Sequence, residues 1–392
     1  MSEGASPARV GLHASSLLVL SFLMSANGTV LPQLFYQRHH EGQKVLLLAL
    51  CLFTATLFAT SGVLASRRGG LRRGPALAAV VATLAAESAL FVVTSAVAYA
   101  ALNALAQLGA NFLMNHLDQA ATARAGAGGR RLADAVGNAA RLLGMLAAPA
   151  FFTAFHARPG ALVGALATGL ALTTASVVSA LSRPTLRRAP GVEAAPTTPL
   201  PRADRLLFAY VVTIYVALYL FAANMIYLLG DVARIASAER RGGLVIVVVF
   251  AGALVSGAAY QAAVGPSRDL RVSALGAPVI PLALAAAALF ARAVPSFEAV
   301  IAGAVIVGAS YGVFLAEVRD RASRGGDPRL LTLFNNVGNL SALGAAAAMA
   351  MIAATARSGP VYARLLALIG GLPIAALPLL FAARSPRAPR SP

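Results

Sequence analysis

The sequence predicts an all-α polytopic membrane protein with 12 transmembrane helices, arranged as two pseudo-symmetric six-helix bundles. The first observation is composition: 58% of the residues are hydrophobic, only 12% are charged, and the mean hydropathy is +0.75. Soluble domains are typically about 25% charged. The second observation is a series of apolar stretches, each close to the roughly 20 residues that an α-helix needs to cross a bilayer. The third is a pattern of polar residues that recurs after about half the chain.

The strong positive charge does not indicate a nucleic-acid-binding protein. The formal net charge is +18 at pH 7, but most basic residues fall in short clusters between apolar runs, as membrane topology requires. No basic stripe interleaved with aromatic residues is present, so we exclude nucleic acid as a partner. Cys51 is the single cysteine, which rules out an intrachain disulfide and a multi-thiolate metal site. We expect no cofactor and no metal.

The spans follow from the apolar stretches and the charged or proline-containing segments between them. The first begins after Arg9 and resembles a signal peptide, but its apolar run continues to Phe35, so we interpret it as an uncleaved helix. The stretch from Pro75 to Asn115 is too long for one span, which places a tight turn near Thr94. The predicted spans are 12–35, 43–65, 75–95, 97–117, 132–154, 160–182, 206–229, 243–264, 273–292, 296–317, 329–354 and 360–383.

Charge distribution orients these spans in the cell membrane. With twelve spans, both termini lie on one side; 22 basic residues fall in segments on that side and nine on the other. The positive-inside rule therefore makes both termini cytoplasmic. Residues 183–205 contain five prolines, which interrupt helices, and form a cytoplasmic linker between a six-helix bundle at 1–182 and another at 206–384. Residues 385–392 are predicted to be a disordered tail.

Two sets of polar residues recur at nearly the same offset. Asn27 in the first span is matched by Asn224 in the seventh, 197 positions later. The second set, 198 positions apart, pairs Arg131, Asn138 and Arg141 with Arg329, Asn336 and Asn339. Such a repeat predicts two related bundles, and polar groups kept inside hydrocarbon usually face a partner, a cavity or a substrate.

This arrangement resembles the major facilitator superfamily over roughly residues 10–384. Six plus six spans, cytoplasmic termini and a central linker carry the resemblance. The loop after the second span also contains part of the family's Gly-x-x-x-Asp-Arg-x-Gly-Arg-Arg motif: Gly62, Arg67 and Gly69 match, and Ser66 replaces the aspartate. The resemblance implies a secondary transporter whose halves rock about a midplane site. It also implies that Arg67 and Gly69 brace the inner helix ends.

Amide side chains are the candidate substrate contacts. Asn27 and Asn224 would border the central cavity if the family architecture holds, and an amide both donates and accepts hydrogen bonds. Asn103, Gln107 and Asn111 are spaced four residues apart, so they share one face of the fourth span. The alternative for all of them is an interhelical clasp, which is a common use of polar residues in membranes.

Two ionisable residues lie inside predicted spans. Arg141 needs an anion, because an unpaired arginine at mid-membrane costs about 3 kcal/mol. That anion is a carboxylate or phosphate of the substrate, or a gating ion pair; snorkelling to the cytoplasmic end or pairing with Asp134 are the structural alternatives. Glu87 is the only carboxylate well inside a span and is the candidate proton carrier, with a structural hydrogen bond as the alternative.

A further set of residues lies near the predicted cytoplasmic helix ends and is a candidate gate or helix clasp. Asn336 and Asn339 mirror Asn138 and Arg141, while Asp118 and Glu317 occupy corresponding helix ends. Charge networks with Arg124 and Arg319 that close an inner gate are one interpretation, and solvated charges are the other. The gate and structural candidates are Arg67, Gly69, Asp118, Asn138, Asn336, Asn339 and Glu317.

The sequence therefore predicts a secondary transporter that moves a small polar organic solute or metabolite by alternating access. Glu87 is the candidate for proton coupling, and facilitated diffusion is the alternative if Glu87 lies at the periphery of the bundle. An exporter of a drug-like metabolite and a transport-inactive binding or scaffold protein are the rival functions. No nucleophile elbow, zinc-protease motif or phosphate-binding loop is present, so we do not expect an enzyme or an ATP-driven pump. The expected partners are a small-molecule substrate, membrane lipid and protons, with the chain acting as a monomer.

Overall fold

The chain folds into α-helices, with no β-strand in the part that the structure describes. A computed structural model describes residues 7–27, 73–90, 92–124, 126–155, 164, 200–225, 228–264, 270–293, 296–324, 330, 333–334, 337–355 and 361–384. The helices are α1 (Pro7–Ser25), α2 (Arg73–Leu90), α3 (Ala96–Arg124), α4 (Gly126–Phe155), α5 (Arg202–Ala223), α6 (Ala238–Ala263), α7 (Val272–Gly276), α8 (Val279–Phe290), α9 (Phe297–Arg324), α10 (Val337–Thr355) and α11 (Val361–Ala383).

The long apolar helices identify this chain as a multi-pass membrane protein. Six segments among the described residues are long and apolar enough to cross a membrane: one in α3, four formed by α5, α6, α9 and α11, and one formed by α7 and α8 together. Shorter apolar segments lie in α1, α2 and α4. Large apolar side chains such as Val81, Ile280 and Phe381 are more than half exposed, as expected on a lipid-facing surface.

Ten of the predicted spans coincide with described helices. The predicted turn near Thr94 is present, since α2 ends at Leu90 and α3 begins at Ala96. The predicted spans at 43–65 and 160–182 lie outside the described residues, so the count of twelve stays a prediction. Helix α5 begins at Arg202, four residues before the predicted span at 206.

Three predicted helix boundaries are wrong. The seventh span is not one helix: α5 ends at Ala223, and a π-helical turn follows at Leu228–Val232. The ninth span is broken between α7 and α8, where Pro278 has no main-chain N–H to continue the helix. The tenth span ends at Arg324 rather than at 317, so Glu317 and Arg319 lie within α9 and not at a helix end or in a loop.

The two halves repeat one close helix contact. A Cβ added at Gly144 of α4 would overlap the carbonyl oxygen of Leu18 in α1. In the second half, a Cβ at Gly344 of α10 would lie 2.8 Å from Cγ2 of Val216 in α5, the residue 198 positions beyond Leu18. Small residues allow membrane helices to approach closely. The repeat seen in the asparagines therefore extends to the packing of α1 on α4 and of α5 on α10.

The halves meet along α4. This helix contacts α1 in its own half, and it also contacts α6 and α9 of the second half. Leu142 of α4 is 4% exposed and belongs to the buried core formed mainly by α5–α11. Residues on this face of α4 are therefore placed between the two lobes.

Candidate functional site

A buried carboxylate and three amides form one hydrogen-bonded cluster in the first half. Nδ2 of Asn27 donates to Oε1 of Glu87 over 2.6 Å. Nδ2 of Asn103 donates to the main-chain oxygen of Asn27 over 3.1 Å, and Nε2 of Gln107 donates to Oδ1 of Asn103 over 2.8 Å. These bonds join α1, α2 and α3. We call the four residues the carboxylate–amide cluster.

Local helix geometry produces the cluster. The regular part of α1 ends at Ser25, and residues 26–27 form a π-helical turn. Such turns are frequent at functional sites because they redirect main-chain groups and side chains. Here the carbonyl of Asn27 meets a side chain of α3 instead of only its own helix. On α3, Asn103 and Gln107 are four residues apart and therefore share a face.

The side-chain oxygen of Asn27 accepts no hydrogen bond from any described residue. Its side chain is 1% exposed and that of Glu87 is 2% exposed, yet Oδ1 of Asn27 has no hydrogen-bond partner among the described residues. Buried polar atoms are normally paired. A donor brought to this position, either a protonated carboxyl group or a donor of a solute, would find an acceptor ready for it.

Asn111 and Asn224 occupy different surroundings. Asn111 is fully buried on α3, two helical turns beyond Asn103 and on the same face. Asn224 is 6% exposed, and its Nδ2 donates to the carbonyl oxygen of Leu220 in its own helix over 2.8 Å. Among the described residues no hydrogen bond joins Asn224 to the carboxylate–amide cluster. What Asn27 and Asn224 have in common is that each lies where a helix becomes irregular.

A second polar group lies between the lobes and centres on two arginines. Arg141 lies on α4, and Arg319 lies on α9 and is 7% exposed. A Cβ added at Gly137 would lie 3.5 Å from Nη2 of Arg319. The guanidinium of Arg319 therefore lies beside Gly137 of α4, although it belongs to a helix of the opposite lobe. Arg141 is one helical turn beyond Gly137 and on the same face of α4.

Tyrosines of the second half complete this group. Tyr215 of α5 is hydrogen-bonded to Tyr311 of α9 and lies within electrostatic reach of Tyr219, Arg141 and Arg319. The rings of Tyr215 and Tyr311 meet edge to face, with centroids 5.7 Å apart. We call these five residues the arginine–tyrosine group. Sequence reasoning proposed Arg141 as an anion contact and named Arg319 only as part of a gate network. It missed the tyrosines, for which the spacing of Tyr215 and Tyr219, four residues apart inside an apolar span, was the available signal.

Glu317 belongs to a third contact, which joins helices of the second half. Oε2 of Glu317 accepts a hydrogen bond from the hydroxyl of Tyr260 over 2.9 Å and lies 3.7 Å from Nη1 of Arg271. Arg271 also donates to the Tyr260 hydroxyl over 3.3 Å. The contact therefore connects α6, the segment before α7, and α9. The predicted pairing partner in the gate was Arg319, but the ion pair given by the structure is with Arg271.

The remaining gate candidates are only partly described. Asn138 is half-buried on α4, three residues before Arg141. Arg67, Gly69 and Asn336 lie outside the described residues. Asp118 and Asn339 lie in α3 and α10, and the structure gives no account of their side chains. Their proposed role in a gate therefore stays a prediction.

Comparison with solved structures defines the fold. The chain is similar to the human organic anion transporter MFSD10, with a TM-score of 0.64 and 14% identity over 96% of this chain and 100% of that one. It is similar to a bacterial homologue of the iron transporter ferroportin in an outward-facing state, with a TM-score of 0.66 and 17% identity over 96% and 98% of the two chains. It is also similar to the nucleoside transporter NupG, with a TM-score of 0.67 and 11% identity over 96% and 99%.

These similarities establish a class of fold. The chain has the major facilitator fold, as the sequence resemblance predicted. No protein-family model matches the sequence, and no curated protein matches it.

Proposed function

We propose that the chain is a secondary transporter that moves a small polar organic solute across the membrane by alternating access, with proton coupling through Glu87. The observation that carries the proposal is the carboxylate–amide cluster. A carboxylate that is 2% exposed inside an apolar bundle is bonded to a polar network on three helices. Solved structures of this fold include transporters of organic anions, iron and nucleosides, and the shared fold supports transport in general.

Asn27 is suited to serve both protonation states of Glu87. When the carboxylate is ionised, it accepts the hydrogen bond from Nδ2 of Asn27. When it is protonated, its O–H becomes a donor, and rotation of the amide would present Oδ1 of Asn27, the acceptor that no other described residue uses. Because an ionised carboxylate costs about 3 kcal/mol in the membrane interior, closing the site to water penalises the ionised form of Glu87. Proton uptake and closure are therefore linked.

The cluster also connects protonation to the shape of the first helix. Asn27 lies in the π-helical turn that follows α1, and Asn103 of α3 holds the main-chain oxygen of the same residue. A rotation of the Asn27 amide therefore acts at a place where α1 is already irregular. The internal repeat does not provide an equivalent network in the second half, because the residues about 198 positions beyond Glu87, Asn103 and Gln107 are apolar. We therefore assign proton coupling to the first half of the chain.

The test is transport in proteoliposomes with and without an imposed pH gradient, using labelled organic acids, amino acids, nucleosides and sugars. We expect at least one solute to accumulate in response to the gradient. Glu87→Gln keeps the shape and a hydrogen-bonding side chain but cannot exchange a proton, so it should lose gradient-driven accumulation while keeping solute exchange. Glu298→Gln is the matched control, since Glu298 is an exposed carboxylate in the first turn of α9.

Two results would count against the proposal. If none of these solutes crosses faster than in empty liposomes, transport is refuted for this range of solutes. If Glu87→Gln responds to the gradient as the unmodified protein does, proton coupling through Glu87 is wrong, and facilitated diffusion takes its place.

A further inference from the structure

We infer that the arginine–tyrosine group is a binding site for a small organic oxyanion with an aromatic body, held between the two lobes. The inference deepens the proposed function, because it names the class of solute and the place where it binds. It is carried by the position of two arginines, the ring wall beside them and the absence of an equivalent group at the repeated positions of the sequence.

The first observation is that two arginines, one from each lobe, lie at one face of α4. Arg141 belongs to α4 itself, and Arg319 reaches it from α9. Nη2 of Arg319 packs at Gly137, one turn before Arg141. Like charges repel each other in a medium of low dielectric constant, and an oxyanion that contacts both guanidinium groups would be attracted by each of them.

Arginine is the residue best suited to this task. Its planar guanidinium has five N–H donors in a rigid fork, which matches carboxylate and phosphate oxygens. With five donors, each arginine can keep contacts within the protein and still bind a ligand. Arg319 is 7% exposed, so its bonds to a ligand would form away from bulk water, where charge-assisted hydrogen bonds are strongest.

The second observation is the aromatic wall. Tyr215 and Tyr311 are hydrogen-bonded to each other and lie with Phe314 in one ring cluster, with centroids 5.7–6.5 Å apart. Aromatic faces and edges bind a flat apolar ring at such separations, and the phenol groups add polar atoms beside the arginines. The wall therefore favours an anion with a ring over an inorganic ion.

The third observation is that the site is not duplicated by the internal repeat. The position 198 residues beyond Arg141 is Asn339, and the positions 198 residues before Tyr215 and Tyr311 are leucines. Among the described residues, one site of this kind lies between the two related halves. A ligand that touches α4 on one side and α5 and α9 on the other would hold the lobes together, as a transported solute must do in the occluded state.

Binding to the purified full-length protein in detergent tests the inference without any need for transport. Labelled benzoate and phenyl phosphate serve as probes in equilibrium dialysis, and benzamide, which has the shape of benzoate without its charge, is the matched neutral ligand. We expect saturable binding of both anions, and at least tenfold weaker binding of benzamide.

Substitutions then locate the site. Arg141→Gln and Arg319→Gln should each weaken anion binding at least tenfold, and Arg319→Lys should recover part of the loss because it restores charge without the planar fork. Arg321→Gln is the control: it lies two residues further along α9, and its ion pair with Asp204 is 38% exposed on the arginine side. We expect it to bind the anions as the unmodified protein does.

Several results would overturn the inference: no saturable binding of either anion, equal binding of benzamide, or unchanged affinity in both glutamine variants. The comparison of benzoate with benzamide uses the unmodified protein, so it remains decisive if a variant fails to fold. If the anions do not bind, the chain could still transport another solute in response to the gradient, so the proposed function would not be refuted. Conversely, if the anions bind but no solute is transported, the proposed transport function is refuted and the inferred binding site stands.

Discussion

Packing of α1 on α4 gives the most quantitative prediction, because Asn27 follows α1 and Arg141 lies on α4. In Gly144→Ala, the added methyl group overlaps the carbonyl oxygen of Leu18 and lies 2.9 Å from the main-chain nitrogen of Phe22. Both obstacles are backbone, which cannot rotate away. The two helices must therefore separate by roughly 1 Å to restore ordinary contact.

The cost follows from that separation. Overpacking typically costs about 1–3 kcal/mol, and the hydrogen bond from Ser25 to the carbonyl oxygen of Met145, 2.9 Å long between the same helices, contributes about 1 kcal/mol if it is lost. The free energy of unfolding of the first lobe should fall by roughly 2–4 kcal/mol. For a unit of about 190 residues this lowers the melting temperature by roughly 5–10 °C.

Thermal melting followed by gel filtration in detergent measures the effect against two matched glycines. Gly344→Ala meets a methyl group of Val216 rather than backbone, so a rotamer change can relieve it, and a loss of about 1 kcal/mol is expected. Gly371→Ala meets nothing within 4 Å and should be neutral or stabilising by up to about 1 kcal/mol. A Gly144→Ala variant that melts within 1 °C of the unmodified protein would refute this account of the helix contact.

Other substitutions separate functional contacts from structural ones. Asn27→Ala removes the hydrogen-bond donor to Glu87 and should abolish gradient-driven accumulation. Asn224→Ala breaks a hydrogen bond within its own helix and should keep at least half of the transport rate. Equal losses in the two variants would contradict a functional role for Asn27 and a structural one for Asn224. Glu317→Gln removes an ion pair whose glutamate is 6% exposed, and we expect a melting temperature lower by a few degrees, which an unchanged melt would exclude. Arg321→Gln breaks an exposed pair and should change the free energy of unfolding by less than about 1 kcal/mol in a denaturant titration.

Apolar length and spacing were sufficient to predict most of the fold. Long hydrophobic runs have few alternatives to helices in lipid, so the described helices lie close to the predicted spans. The errors occur where a local feature overrides the hydropathy pattern. Pro278 divides a run that reads as continuous, and the irregular segment after α5 begins at Asn224. The polar and charged residues at the end of α9 look like a loop, yet they continue the helix to Arg324.

The candidate site was predictable only where the signal is local. The spacing of Asn103 and Gln107 along one helix gives a shared face directly, and their hydrogen bond has that origin. Contacts between helices are different, because hydropathy does not specify how helices rotate about their axes. Nothing in the sequence states that Asn27 meets Glu87, or that Arg319 crosses to Gly137. Tyrosines in an apolar span resemble ordinary packing residues, and only the position of the opposite lobe distinguishes them.

Alternating access is the central claim, and paired distances at the two ends of the bundle test it most directly. Spin labels in a Cys51→Ser background would be placed as Gly11→Cys with Arg205→Cys near the starts of α1 and α5, and as Val92→Cys with Ala291→Cys in the turns at the other end; all four positions are exposed. Double electron–electron resonance is then recorded at high and low pH, with and without a transported solute.

The account predicts that each pair samples two distances and that the populations move in opposite directions, one end closing as the other opens. A single unchanged distance at both ends under every condition would contradict it, and so would two ends that open and close together.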